Sequence, residues 1–180
     1  PESTLFPYTT LFRSTSYSQL QRTSDRISPI LAQDDIMVYE QGEGASANML
    51  LETFRESERA VLLGTRNFWE GVDVPGDALS VLVIVKLPFD VPSDPIVAAR
   101  SETFEDPFYQ YALPQAILRF RQGFGRLIRT QTDRGVVVVL DKRVLTKQYG
   151  RLFMESLPEC TFRQGILADL PKLTERWLNL

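Results

Sequence analysis

The residues best suited to chemistry lie between Ala112 and Thr130, in the order Gln122-x-x-Gly125-Arg126-x-x-Arg129. At 3.6 residues per turn this stretch divides into two faces. Leu113, Ala116, Ile117, Phe120, Phe124, Leu127 and Ile128 fall on one, and Arg119, Gln122, Arg126 and Arg129 on the other. No Asp or Glu occurs between Asp106 and Asp133, so the helix itself offers no acid to its arginines at i, i+4. A guanidinium is a planar, permanently charged fork of donors that matches phosphate oxygens. Gly123 and Gly125 interrupt the pattern, each at about 1 kcal/mol against Ala in a helix interior. Close approach of another backbone or of a ligand is the usual compensation. The chemistry this predicts is neutralisation of phosphate charge. The plain alternative is the solvated face of an amphipathic helix.

A second candidate is the run Phe68-Trp69-Glu70-Gly71-Val72-Asp73-Val74-Pro75-Gly76, which follows an apolar strand. Gly71 permits close backbone approach, and Glu70 and Asp73 supply acceptors. Asp73 serves equally well as a turn residue capping backbone N–H groups. Phe68 reads as core, and Trp69 as core or as packing at a domain boundary.

Composition removes other chemistries. The chain has 180 residues, 43% of them hydrophobic, enough for one domain with a full core. Its net charge of −3 means that any nucleic-acid contact must be a local basic patch. Histidine is absent, which excludes Ser-His and Cys-His pairs and the commonest metal ligand. The single cysteine, Cys160, excludes an intrachain disulfide and a four-cysteine cluster, and reads as a small residue near a loop. No apolar run reaches the roughly 20 residues of a membrane helix, and no signal peptide is recognisable. A reducing cytoplasm is the expected location.

The elements that position these groups alternate. Helices are predicted over Thr15–Ala32 (capped by Ser16 or Ser18, with Leu20, Ile27, Ile30 and Leu31 inward), Ser46–Glu56 (Met49, Leu50 and Phe54 inward, Ser46 as cap), Lys142–Leu157 (Val144, Leu145, Leu152, Phe153 and Leu157 inward) and Asp169–Leu178. A further helical stretch begins at Asp94–Arg100 and is interrupted at Pro107, and Pro114 suits the start of the next. Ile36–Glu40 is a short strand. Arg59–Thr65, Val81–Val85 and Val136–Leu140 are continuous apolar strands, expected to be covered on both faces. The fold class is therefore α/β, a parallel sheet sandwiched between helices. Ligands in such sheets bind at the carboxyl ends of strands, and every motif is expected at that edge.

Residues 1–14 stand apart. Thr4 to Ser14 resembles the translation of a sequencing-adapter oligonucleotide, and these residues are expected to be a non-native leader before a domain spanning 15–180. The alternative is a natural strand, Tyr8 to Arg13, for which Thr9 to Phe12 have fair propensity.

Gln122-x-x-Gly125-Arg126-x-x-Arg129 resembles motif VI of superfamily 2 helicases, and Phe68–Gly76 resembles motif V of the DinG/XPD branch. The run Gln122 to Arg129, with Asp133-Arg134-Gly135 and a valine run behind it, is close to bacterial DinG-type proteins. The resemblance implies the second RecA-like, P-loop-NTPase-type domain of an ATP-dependent DNA helicase. It implies 5′-to-3′ movement on single-stranded DNA and a role in DNA repair. Arg126 and Arg129 would be arginine fingers, with Gln122 orienting a phosphate oxygen, a water or the arginines. Glu70, Gly71, Asp73 and Gly125 would face the nucleotide. Thr15, Ser16, Tyr17, Thr65, Arg66 and Asn67 would face the nucleic acid. Arg119 matches no family role and is left as a flanking positive charge. The chain has no G-x-x-x-x-G-K-[ST] loop and no acidic box. ATP with Mg2+ would thus be held mainly by a first RecA-like domain, the partner in which any iron–sulfur cluster would also lie. This fragment alone would be inactive. Two rivals are a non-catalytic module binding single-stranded nucleic acid or a protein, and an unrelated nucleotide-dependent enzyme on a Rossmann-like sheet. The second is weakened by the lack of G-x-G-x-x-G and of histidine.

Overall fold

The computed structural model describes residues 9–13, 17–42, 46–65, 79–128 and 134–178, the side chains of Ala47 and Arg126 excepted. Five parallel strands form one sheet in the order β2-β3-β1-β4-β5. They are β1 (Thr10–Arg13), β2 (Met37–Glu40), β3 (Ala60–Gly64), β4 (Val81–Ile84) and β5 (Val136–Val139). β1 is central, pairing Thr10 with Val61 on one side and Val81 on the other, and ending with Arg13 between Gly64 and Ile84.

Both faces of the sheet are covered, which is why β3 and β4 are free of polar side chains, while the central β1 buries Thr10 and Arg13 beside Leu11. Side chains alternate along a strand. Leu11 and Leu62 join a core with Phe54, Phe120 and Phe153. Val61 and Leu63 join Leu20, Leu31 and Ile36 in a second core, with Phe12 packed against it. The expectation of full cover fails for β5, whose four valines are only half-buried. Among the described strands it stands at the edge, with a neighbour on one side alone.

Among the described residues the helices are α1 (Tyr17–Leu31), α2 (Ala47–Glu56), α3 (Pro95–Ser101), α4 (Leu113–Leu127), α5 (Arg143–Thr146), α6 (Gly150–Glu155) and α7 (Leu170–Leu178). Asp94 caps α3, its Oδ1 accepting the Ile96 N–H at 2.9 Å, with Pro95 in the first turn. A wider helical turn, Phe108–Ala112, leads directly into α4.

Several expectations need correction. Lys142–Leu157 is two helices rather than one: the chain becomes extended at Lys147 and resumes a helix at Gly150, packed so closely that a Cβ there would strike the carbonyls of Val144 and Arg143. With the helix broken, Leu145 and Leu152 are exposed, as are Ile30 of α1 and Met49 of α2. Ser46 precedes α2 but makes no side-chain cap bond. The last helix is entered through a single tight turn, Leu167–Asp169. Ser16, an expected cap, lies outside the described residues. Among the described residues no helix is long and apolar enough to cross a membrane.

Candidate functional site

α4 forms as its sequence dictates. Leu113, Ala116, Phe120, Phe124 and Leu127 are buried, and Phe120 meets Phe153 of α6 edge-on at 5.4 Å between ring centroids. Gln122 and Gly125 are on the exposed side. Among the described residues, nothing beyond the helix's own backbone and the adjacent residues lies within 4 Å of where a Cβ on Gly125 would stand, so no described residue accounts for that glycine by close approach. Arg126 belongs to the helix, and Arg129 lies outside the described residues.

Arg119 is not a free flanking charge. Its Nη1 is 2.9 Å from Asp90 Oδ2, with the side chains only 12% and 3% exposed, and it also donates to the Pro88 carbonyl at 3.4 Å. The sequence expectation considered acids along the helix; the fold supplies one from the segment after β4.

The direction of α4 also corrects the expectation that every motif shares the carboxyl edge. Parallel neighbours β4 and β5 require a return path, and α4 is that path. Its Arg119 touches Pro88 and Asp90, which follow the carboxyl end of β4. Its Leu127 lies against Gly135, just before β5, only 2.6 Å from where a Cβ would stand. The eight residue steps from Arg119 to Leu127 rise about 12 Å along the helix axis. Gln122, Gly125 and Arg126 therefore progress towards the amino edge of the sheet.

The carboxyl edge is built from other groups. Gln41, after β2, accepts through Oε1 from the Thr65 N–H (2.9 Å) and from Thr65 Oγ1 (2.7 Å), and both residues are buried. Thr65, expected to face nucleic acid, thus spends its hydroxyl inside the chain. Tyr17, at the start of α1, is 41% exposed, and the first turn of that helix carries no acid. After β5, Asp141 Oδ2 accepts the Leu87 N–H at 2.9 Å, and both its oxygens take Arg143 Nε at 3.0 Å. Arg143 Nη2 adds a 2.6 Å bond. Burial raises the Asp141 pKa, but the bonds from Arg143 and Leu87 outweigh it and hold the carboxyl below its ordinary value. The Asp141 bond raises the Arg143 pKa against the opposing effect of burial. The Arg143 guanidinium also lies 5.3 Å from the Phe89 ring centre, and Phe89 packs with Phe108, Tyr149 and Phe153.

Thr15, Ser16, Arg66, Asn67, Glu70, Gly71 and Asp73 lie outside the described residues. Among the described residues no group of three or more His, Cys, Asp or Glu could hold a metal ion. Cys160 is half-buried, and burial pushes its thiol up, away from the reactive thiolate. Sequence reasoning missed Gln41, Asp90 and Asp141 as anchors. Gln41 and Asp141 carried a signal, a polar residue directly after a strand, whereas Asp90 carried none.

The sequence that folds this way matches a known family. The description "Helicase C-terminal domain" fits residues 4–160. The chain belongs to the helicase C-terminal domain family. It is 43% identical over 149 residues to the protein named 3′-5′ exonuclease DinG of Bacillus subtilis, covering 80% of this chain and 16% of that protein. It is also 43% identical over 148 residues to ATP-dependent DNA helicase YoaA of Haemophilus influenzae, covering 80% and 22%. The Escherichia coli YoaA helicase is 48% identical over 122 residues, 66% of this chain and 19% of that protein. This helicase C-terminal domain therefore spans only 16% to 22% of the curated relatives it matches. In fold it resembles S. tokodaii Xpd4 (TM-score 0.55, 20% identity, 87% of this chain and 31% of that one). It also resembles the C-terminal domain of S. cerevisiae Dbp5 (TM-score 0.51, 14% identity, 96% and 84%). The helicase domain is thus RecA-like in architecture.

Proposed function

We propose that this chain is the second RecA-like motor domain of a DinG/XPD-type ATP-dependent DNA helicase acting in the cytoplasm on single-stranded DNA. The observation that carries the reading is the open space around Gly125 on the exposed Gln122 side of α4, in a helicase C-terminal domain. A triphosphate held with Mg2+ by a first RecA-like domain would meet this chain there. Arg126 and Arg129 would neutralise charge on the γ-phosphate oxygens, and Gln122 would orient an oxygen, a water or the arginines. Glu70, Gly71 and Asp73 would complete the nucleotide side. Any iron–sulfur cluster of the whole protein would be held by its other parts.

The carboxyl edge would take the nucleic-acid backbone. A helix N-terminus without acids favours phosphate, which supports contacts by Thr15, Ser16 and Tyr17 at α1. Arg66 and Asn67 would act beside them, while Thr65 would hold its strand end through Gln41. Movement would run 5′ to 3′, in repair. The exonuclease in the first relative's name is said of that protein, of which this chain spans 16%. The adapter-like residues 1–14 would stand in place of the family's own first strand, and the underlying DNA sequence tests this.

The test of function is ATP turnover by the full-length protein with single-stranded DNA. Arg126→Ala is expected to lower kcat about 10³-fold, the scale of an arginine finger. The 180-residue chain alone should show no turnover. Turnover by the chain alone that Arg126→Ala abolishes would refute the reading. DNA binding by the chain that does not change when the partner domain and ATP are added would favour a passive binding module.

A further inference from the structure

We propose that the Asp90–Arg119 pair is a positioning element that couples the two edges of the sheet, an inference that rests on the helicase reading above. Arg119 and Arg126 are one heptad apart, about 20° from the same line along the helix. Whatever fixes Arg119 therefore fixes the azimuth of Arg126. Asp90 does so from outside the helix, through a 2.9 Å contact between side chains 12% and 3% exposed. An exposed pair would contribute little, but a desolvated one cannot lose a partner cheaply. The Arg119 bond to the Pro88 carbonyl adds a second point of attachment.

The segment that Asp90 belongs to is itself held at the carboxyl edge. Its Leu87 N–H is bound by Asp141, and its Phe89 is enclosed by Arg143, Phe108, Tyr149 and Phe153. Residues 86–94 thus form a rigid bridge from the edge proposed to meet nucleic acid to the helix proposed to meet ATP. A shift of that edge reaches α4 through the contacts of Arg119 with Asp90 and Pro88, beside the ring contacts that run from Phe89 through Phe153 to Phe120. Coupling between two sites is measured as a ratio, not as a loss of activity.

The experiment measures ATP turnover of the full-length protein with and without an oligothymidine single strand. Asp90→Asn breaks the pair. The double variant Asp90→Leu with Arg119→Met removes both charges at similar volume and leaves neither one buried alone. Both are expected to lower the DNA-stimulated to basal ratio about tenfold. KM for ATP without DNA should change less than about twofold, and Arg119→Lys should retain most of the ratio. A double variant with the wild-type ratio overturns the inference. A fall seen only in Asp90→Asn, tracking loss of thermal stability, overturns it too. Arg126→Ala run alongside separates the two failures. If Arg126→Ala is inactive and the double variant keeps its ratio, the inference alone falls. If Arg126→Ala turns over normally, the helicase reading falls and takes the inference with it.

Discussion

Asp141 and Leu87 join the ends of two neighbouring strands: the Asp141 carboxylate accepts the Leu87 N–H at 2.9 Å, across from β5 to the segment after β4. Because Arg143 fills the remaining acceptor positions, this carboxylate is satisfied in its ionised form. It sits under the loop that carries Asp90.

Replacing Asp141 by Asn therefore removes a charge-assisted anchor, and should cost about 2 kcal/mol of unfolding free energy near neutral pH. The pH dependence has a definite sign. The folded-state pKa is below the ordinary 3.8, so the stabilisation is complete above that value and fades as pH falls through the folded pKa. Urea unfolding from pH 7 to pH 3 should show wild type and Asp141→Asn converging at the acid end. A gap that widens on acidification would contradict this account.

Arg143→Lys keeps the charge but loses the planar fork and the face laid over Phe89. A lysine cannot reproduce that geometry. The expected loss is about 2 kcal/mol, the lower end of the sum of one charged hydrogen bond and the ring contact. Thermal unfolding of the variant reads it directly, and unchanged stability would show the contact to be incidental.

Thr65→Val is nearly isosteric and deletes the hydroxyl that donates to Gln41 Oε1 at 2.7 Å, while the N–H donor at 2.9 Å remains. One acceptor bond of two is lost in a buried place, worth about 1 kcal/mol. Valine fills the same volume, so a much larger loss in chemical denaturation would mean that Thr65 does something the structure does not explain.

Two glycines should respond in opposite directions to alanine. At Gly150 a methyl group would meet backbone carbonyls of Val144 and Arg143, which cannot rotate away, so Gly150→Ala should destabilise by about 2 kcal/mol or more. At Gly125 the space is open within a helix, so Gly125→Ala should stabilise the chain by about 0.5–1 kcal/mol. In the full-length protein the same Gly125→Ala should lower ATP turnover, because the methyl would occupy the approach assigned to the nucleotide. A stabilised variant with undiminished turnover would remove that role from Gly125.

Much of the architecture was legible before any coordinate. β3 and β4 showed as unbroken apolar runs because both of their faces are covered, as the separate cores of Leu62 and of Val61 make plain for β3, whereas the central β1, with Thr10 and Arg13, did not. α4 showed because five buried side chains recur at its period. The valines of β5 looked equally buried, but being at an edge is a property of strand order, which local residue pattern does not encode. The break between Thr146 and Gly150 was hidden because the close approach that Gly150 permits is to the preceding helix, seen only once that helix is placed.

The sequence by itself determined the strand–helix alternation, the polar face of α4 and the family motif written on it, because these depend on side-chain period and spacing along the chain. The tertiary structure alone decided which edge of the sheet each group serves. It ran α4 back from Pro88 to Gly135 and gave Arg119 a partner by bringing Asp90 to it. Partners far apart in the chain meet only when parallel strands force a return path, and no local pattern carries that distance.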